Sequence, residues 1–193
     1  MTHQNHPLKF AFIILLFSFL AISHALSSSE PSIETLKKEI HEFTVVDEHL
    51  SRGAQPTEKA LDLLKAFGVR TIISFRDEKD VNAWEEKQAA ALGLNFVNFP
   101  WRMQSKPKAS LMKQFLELVA QKEKGPFFMH CKRGVERTGV ADALYRFYHK
   151  KLSYNEAYRE AMEGHDRLLY WRPYTRKRYR DFIKELGPAL ASS

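Results

Sequence analysis

Pro126-Phe127-Phe128-Met129-His130-Cys131-Lys132-Arg133-Gly134-Val135-Glu136-Arg137-Thr138-Gly139 passes from an apolar run through a charged, glycine-containing segment to a second apolar repeat. Pro126 to Met129 is a short apolar run of strand length. From Thr138 to His149 the apolar residues Val140, Ala141, Leu144, Phe147 and Tyr148 recur at helical spacing. A tight loop containing Gly134 joins the two, so the segment reads as strand, loop, helix. Main-chain amides converge where a helix begins, and they favour an anion there. The only cysteine of the 193 residues, Cys131, falls at the end of this strand.

Working outward, the same period analysis fills in the neighbours. Phe43 to Val46 and His49 to Arg52 read as short strands around an Asp47-Glu48 turn. Pro56-Thr57-Glu58 opens a helix with Ala60, Leu61, Leu64 and Phe67 on one face, stopped by Gly68. Val69 to Phe75 is a strand, Val81 to Leu92 a helix and Leu94 to Phe99 a strand. Leu111, Phe115, Leu118 and Val119 mark a further helix. Ser153 with Glu156 forms a capping box for another, and a last helix is expected from Tyr174 to Leu186. This alternation predicts an α/β fold, a central, mostly parallel sheet flanked by helices. Ligands bind such sheets beyond the carboxyl ends of the strands, where Cys131 falls.

Composition is that of a globular domain, with 44% hydrophobic and 27% charged residues. Lys and Arg number 30 against 23 Asp and Glu, a net charge of +7 that suits an anionic partner. One cysteine excludes an intramolecular disulfide and a cysteine-based zinc site. Lys9, the apolar stretch Phe10 to Ile22 and Ser23-His24-Ala25 together read as a secretory signal peptide over 1–25. The expected organisation is therefore signal 1–25, leader 26–42 and catalytic domain 43–190. The destination is periplasmic or secreted, and no stable membrane anchor remains after cleavage, because the apolar stretch is too short for a comfortable span.

The residues of the loop point to phosphoryl transfer. Loop amides stabilise a thiolate over a thiol, which would make Cys131 a nucleophile. Arg137, six residues on, can return over the loop and hold two phosphate oxygens. The Thr138 hydroxyl can donate to the sulfur. Nucleophile, anion cradle and guanidinium suit a cysteinyl-phosphate intermediate, and this chemistry calls for no metal or cofactor.

Cys-x5-Arg followed by Thr-Gly and preceded by His resembles the signature of the protein tyrosine phosphatase superfamily. Ser51-Arg52-Gly53-Ala54-Gln55-Pro56, Thr71-Ile72-Ile73-Ser74-Phe75-Arg76 and Ala143-Leu144-Tyr145-Arg146 are similar to segments of its compact bacterial dual-specificity branch. The resemblance covers roughly 43–165. It implies that Cys131 is the nucleophile, Arg137 the phosphate clamp, Thr138 the group that assists the thiolate and His130 the residue that orients the loop. Lys132, Arg133, Gly134, Val135, Glu136 and Arg137 would line the phosphate site.

One feature departs from the family, whose general acid is an Asp on a loop some thirty residues before the cysteine. Here that loop, Pro100 to Pro107, has no Asp or Glu, and Gln104 stands at the expected place. Three readings stay open. Glu136 supplies the proton, or Asp77 or Asp80 reaches in from the loop after the Val69 to Phe75 strand, or the leaving group is good enough to need no acid. The last favours phosphotyrosine or pyrophosphate-like substrates, and Lys132 with Arg133 keeps inositol polyphosphates and phosphoinositides as an alternative. A phosphate-binding module with little turnover is the rival of another class. The basic run Arg167, Arg172, Arg176, Lys177, Arg178, Arg180 and Lys184 reads as a solvated helix face, so the expected partner is a phosphorylated protein or an anionic phosphate ester, not nucleic acid.

Overall fold

Period-two alternation along one strand sorts the helices into two layers. In the computed structural model, which describes residues 30–102, 105–162, 177 and 180–186, strand β5 (Phe127–Cys131) is buried over its whole length. Phe127, Met129 and Cys131 belong to one apolar cluster, and Phe128 to another. Successive side chains of a strand face opposite sides of its sheet, so each side needs its own cover.

The other strands are β1 (Thr44–Val45), β2 (Leu50–Ala54), β3 (Thr71–Ser74) and β4 (Asn95–Asn98). The order across the sheet is β1-β2-β5-β3-β4. Only β1 runs antiparallel; β2, β5, β3 and β4 are parallel to their neighbours. On one face lie α1 (Ile33–Glu39), α2 (Glu58–Ala66) and α3 (Lys79–Ala91), which bring Leu36, Leu61, Leu64 and Ala89 onto Phe128 and Ile72. On the other lie α4 (Ala109–Val119), α5 (Glu136–Tyr148) and α6 (Tyr154–Met162), with Met112, Phe115, Leu144 and Tyr158 in the cluster that holds Cys131.

Local chemistry sets the helix ends. The Thr57 side chain accepts from the Ala60 amide at 3.2 Å and starts α2. The Ser153 amide donates to the Glu156 carboxylate at 3.0 Å, the capping box expected before α6. Gly68, at φ +94°, follows α2 in a conformation that side chains disfavour.

Two boundaries differ from the sequence reading. The segment 26–42 is not wholly a leader: α1 lies within it, and Leu36 and Ile40 are buried beside Phe43 and Leu61. From sequence, Ile33 to Phe43 reads as a short helix, and α1 falls within that span. Helix α5 begins at Glu136 instead of Thr138, so Glu136 and Arg137 are first-turn residues. Of the last helix expected, residues 180–186 are helical, with Phe182, Ile183 and Leu186 in the core. The signal segment 1–25, Gln104 and the residues of the basic run from Arg167 to Arg176 and Arg178 lie outside the described residues.

Candidate active site

The parallel strands β2, β5 and β3 end side by side at Ala54, Cys131 and Ser74. Cys131 is 1% exposed and faces the layer of α4, α5 and α6. His130, one residue earlier, therefore faces the layer of α1, α2 and α3. There its ring stacks on Phe128, with centroids 5.9 Å apart. Its Nε2 lies 2.9 Å from an oxygen of Glu85, which α3 carries; neither side chain has any exposed surface. Its Nδ1 approaches the carbonyl oxygen of Cys131 at 3.4 Å.

The loop from Cys131 to Glu136 is shaped through its carbonyl oxygens. That of Cys131 faces His130. That of Lys132 accepts from the Gln55 amide at 3.5 Å. That of Gly134 accepts from Arg52 Nη2 at 2.7 Å. That of Val135 accepts from the Gly139 amide at 2.8 Å, inside α5. In a trans peptide the N–H points opposite to the C=O. Anchoring the carbonyls of 131, 132 and 134 to the body of the protein thus turns the amides of Lys132, Arg133 and Val135 the other way. With the first turn of α5 behind them, those amides converge beside Cys131, an arrangement of main chain suited to cradle an anion. Gly134 takes φ +77°, which only glycine adopts at low cost.

Arg137 is 4% exposed and fixed at one corner. Its Nη1 donates to the carbonyls of Phe75 at 3.0 Å and Trp101 at 2.9 Å, and to Asp77 Oδ1 at 3.0 Å. The three acceptors come from the β3–α3 connection and from the segment after β4. This leaves the Nε–Nη2 edge without a protein acceptor among the described residues, and that is the edge a phosphate takes in bidentate fashion.

The candidate carboxylates divide. Glu136, the residue named first for the proton, is bonded to the guanidinium of Arg133. Asp77, 37% exposed, is bonded to Arg137. Both accept hydrogen bonds from guanidinium groups. Asp80 is exposed in the first turn of α3. Thr138 is fully buried, and its hydroxyl oxygen has no hydrogen-bond partner among the described residues, Cys131 included. Lys132 and Arg133 are exposed, whereas Gly134 and Val135 are buried.

Several residues at the site had no role assigned from sequence. Arg76 donates to both oxygens of Glu78, at 3.1 and 2.7 Å, and to Gln55 at 3.2 Å. The hydrogen bond from Arg76, opposed by burial, holds the Glu78 carboxyl down at about 2. The Arg76 guanidinium is pushed up, first by Glu78 against burial and then by the charges of Glu78, Glu85 and Cys131. Arg76 thus stands within electrostatic reach of both Cys131 and Glu85. Arg52 and Glu85 are the other two. A charged residue inside an otherwise buried strand was the available signal for Arg52; Arg76 follows the end of β3, and Glu85 sits on a helix with little contrast between its faces.

The strand order and the loop joining β5 to α5 are those of the protein tyrosine phosphatase fold. The chain belongs to the family described as DSP-PTPase phosphatase fused to NAD+ kinase, which matches residues 25–169. It is 32% identical over 97 residues to the dual specificity protein phosphatase TpbA of Pseudomonas aeruginosa, covering 50% of this chain and 42% of that one. It is 30% identical over 117 residues to the probable NAD kinase 2, chloroplastic, of Oryza sativa, covering 54% of this chain and 12% of that one. The chain therefore spans less than half the length of either relative. The crystal structure of TpbA superposes with a TM-score of 0.61 at 23% identity, covering 77% of this chain and 90% of that one. The core catalytic domain of a PP-IP phosphatase from S. cerevisiae gives 0.57 at 18%, covering 74% and 83%. At these identities the two superpositions establish the shared fold.

Proposed function

We propose that the protein is an exported, cysteine-dependent phosphatase that hydrolyses aryl phosphate monoesters, with phosphotyrosine in a protein as the favoured substrate. The observation that carries this is the loop after β5, where three carbonyl oxygens are anchored away from Cys131 and Arg137 is fixed through Nη1 alone. An anion-binding main chain, a cysteine and a free guanidinium edge then surround one place.

The reaction takes two displacements. The Cys131 thiolate attacks phosphorus; the S–P bond forms as the P–O bond to the leaving group breaks, and the leaving oxygen takes a proton from solvent. Water then attacks phosphorus, the S–P bond breaks, and inorganic phosphate and the thiolate are regenerated. The cradle and Arg137 hold the charge on the phosphoryl oxygens through both steps. A phenol leaves without a dedicated acid more readily than an alkyl alcohol. The engagement of Glu136 and Asp77 by arginines supports such a substrate. TpbA is known in complex with phosphotyrosine, which supports the same choice.

Export rests on the sequence of 1–25. Among the described residues no helix is long and apolar enough to cross a membrane. Cell fractionation with N-terminal sequencing of the mature chain tests it; a cytoplasmic, uncleaved product rejects it.

The experiment for the activity is hydrolysis of a series of aryl and alkyl phosphates by the intact chain under reducing conditions, beside Cys131→Ser. Turnover that falls steeply as the leaving group worsens, and vanishes in Cys131→Ser, supports the proposal. Equal rates across the series point to an acid and reject its absence. A second reading, inositol polyphosphate hydrolysis, draws on the exposed Lys132 and Arg133 at the cradle and on the fold shared with the yeast PP-IP phosphatase. Preference for such a substrate over phosphotyrosine peptides would replace the first reading.

A further inference from the structure

The Arg52 side chain has no exposed surface; Nη1 and Nη2 donate to three partners, while Nε is buried with no partner among the described residues. Nη1 donates to Asp142 Oδ2 at 2.8 Å and to the carbonyl of Ala161 at 2.7 Å, and Nη2 to the carbonyl of Gly134 at 2.7 Å. Asp142 is buried too, and its other oxygen accepts from Arg146 Nε at 2.9 Å. A buried ion pair is weak grounds for stability, because an apolar pair of similar size is often as stable. The pair therefore calls for another reason. An apolar replacement could serve neither carbonyl, and that of Gly134 lies in the loop beside Cys131.

The strand beneath fits the loop closely. Arg52 pairs in register with Met129, so its side chain lies on the Cys131 face of the sheet. A methyl group added at Gly134 would meet the Gly53 carbonyl carbon at 2.5 Å and the Ala54 nitrogen at 2.6 Å. The Gln55 amide reaches the carbonyl of Lys132. Three successive positions after Arg52 thus touch the loop through main chain, and Arg52 touches it through its side chain.

From this we infer that Arg52 is a positioning residue of the phosphate cradle. Its guanidinium turns the peptide between Gly134 and Val135 so that the Val135 amide faces the anion, and Asp142 and the end of α6 hold that guanidinium in place. Arg52 acts through Gly134 and does not itself reach the substrate. The inference rests on the reading of the loop as a phosphate site.

The test measures binding of inorganic tungstate, a phosphate-shaped anion, to the intact chain by titration calorimetry, together with thermal melting. Arg52→Met is compared with wild type and with Leu36→Ala. Leu36 is buried in the opposite layer and calibrates lost stability alone. Tungstate affinity is expected to fall at least tenfold in Arg52→Met and to stay within twofold in Leu36→Ala, although both melt earlier. Arg52→Lys, which has the charge but not the fork, carries the comparison if Arg52→Met does not fold; a loss of threefold or more is expected. Wild-type affinity in a folded Arg52 variant, or an equal loss in Leu36→Ala, would overturn the role of Arg52 and leave the cradle standing. No tungstate binding by the wild type would overturn the phosphate reading itself, and this inference with it.

Discussion

Gly134→Ala is the sharpest perturbation the loop offers. The added methyl would lie 2.5 Å from the carbonyl carbon of Gly53, 2.6 Å from the nitrogen of Ala54 and 2.7 Å from the oxygen of Gly53. All three are main-chain atoms of β2, which pairs along its length with β5. No flexible side chain is there to swing aside. The residue also holds φ +77°. Left-handed backbone costs a non-glycine residue about 1–2 kcal/mol, and forced overpacking about 1–3 kcal/mol more. The expected loss is about 2–5 kcal/mol, a fall in Tm of about 5–15 °C for a chain of this size. Relief can come only by lifting the loop off β2, which misaligns the cradle, so kcat/KM for an aryl phosphate should drop at least tenfold. Urea unfolding and steady-state hydrolysis on the same preparation measure both. A variant within 0.5 kcal/mol of wild type and within twofold in activity would refute the close fit between loop and strand.

Four further outcomes are expected. Cys131→Ser should abolish turnover and leave tungstate binding within a few-fold, as equilibrium dialysis would show; surviving turnover would exclude Cys131 as nucleophile. Glu136→Gln should lower kcat less than threefold for a phenol leaving group, because its carboxylate serves Arg133; a loss of a hundredfold restores it as the acid. Glu85→Ala should cost about 1–3 kcal/mol in urea unfolding by removing a fully buried side chain whose carboxylate lies 2.9 Å from the buried Nε2 of His130, and Glu85→Gln, which keeps the volume, should recover part of that. The Arg76–Glu78 pair should be pH-dependent. The folded carboxyl lies at about 2, below its ordinary 4.5, so its contribution is full above 4.5 and is lost as pH falls towards 2. The difference in Tm between wild type and Glu78→Gln should shrink across that window, and a gap that persists at pH 2 would assign it to packing.

The central strand, its loop and α5 were legible because every signal there is local. An apolar run, a glycine and a helical repeat follow one another within 24 residues, 126–149. What stayed hidden depends on distance along the chain. Arg52 meets Asp142 across 90 positions, and no short-range pattern announces that pair. Glu85 belongs to a helix with little amphipathic contrast, so its inward direction could not be read from its neighbours. Glu136 and Arg137 look like loop residues because they are charged, yet α5 begins with them, since their side chains find Arg133, Asp77 and two carbonyls.

A cradle made of peptide groups has a consequence for how such a chain can change over time. Peptide N–H groups are the same whatever side chain follows them. Lys132 and Arg133 can therefore be exchanged for other residues while the main chain beneath them persists. Lys132 is the freer of the two, since the Arg133 guanidinium is bonded to Glu136. The constrained positions lie one layer down, at Arg52, Gly53 and Gly134, where substitution alters the shape of the chain and not merely its clientele. On the proposed function, variation in substrate and preservation of chemistry are thereby assigned to different residues, those on the outer side of the loop and those where the loop meets β2.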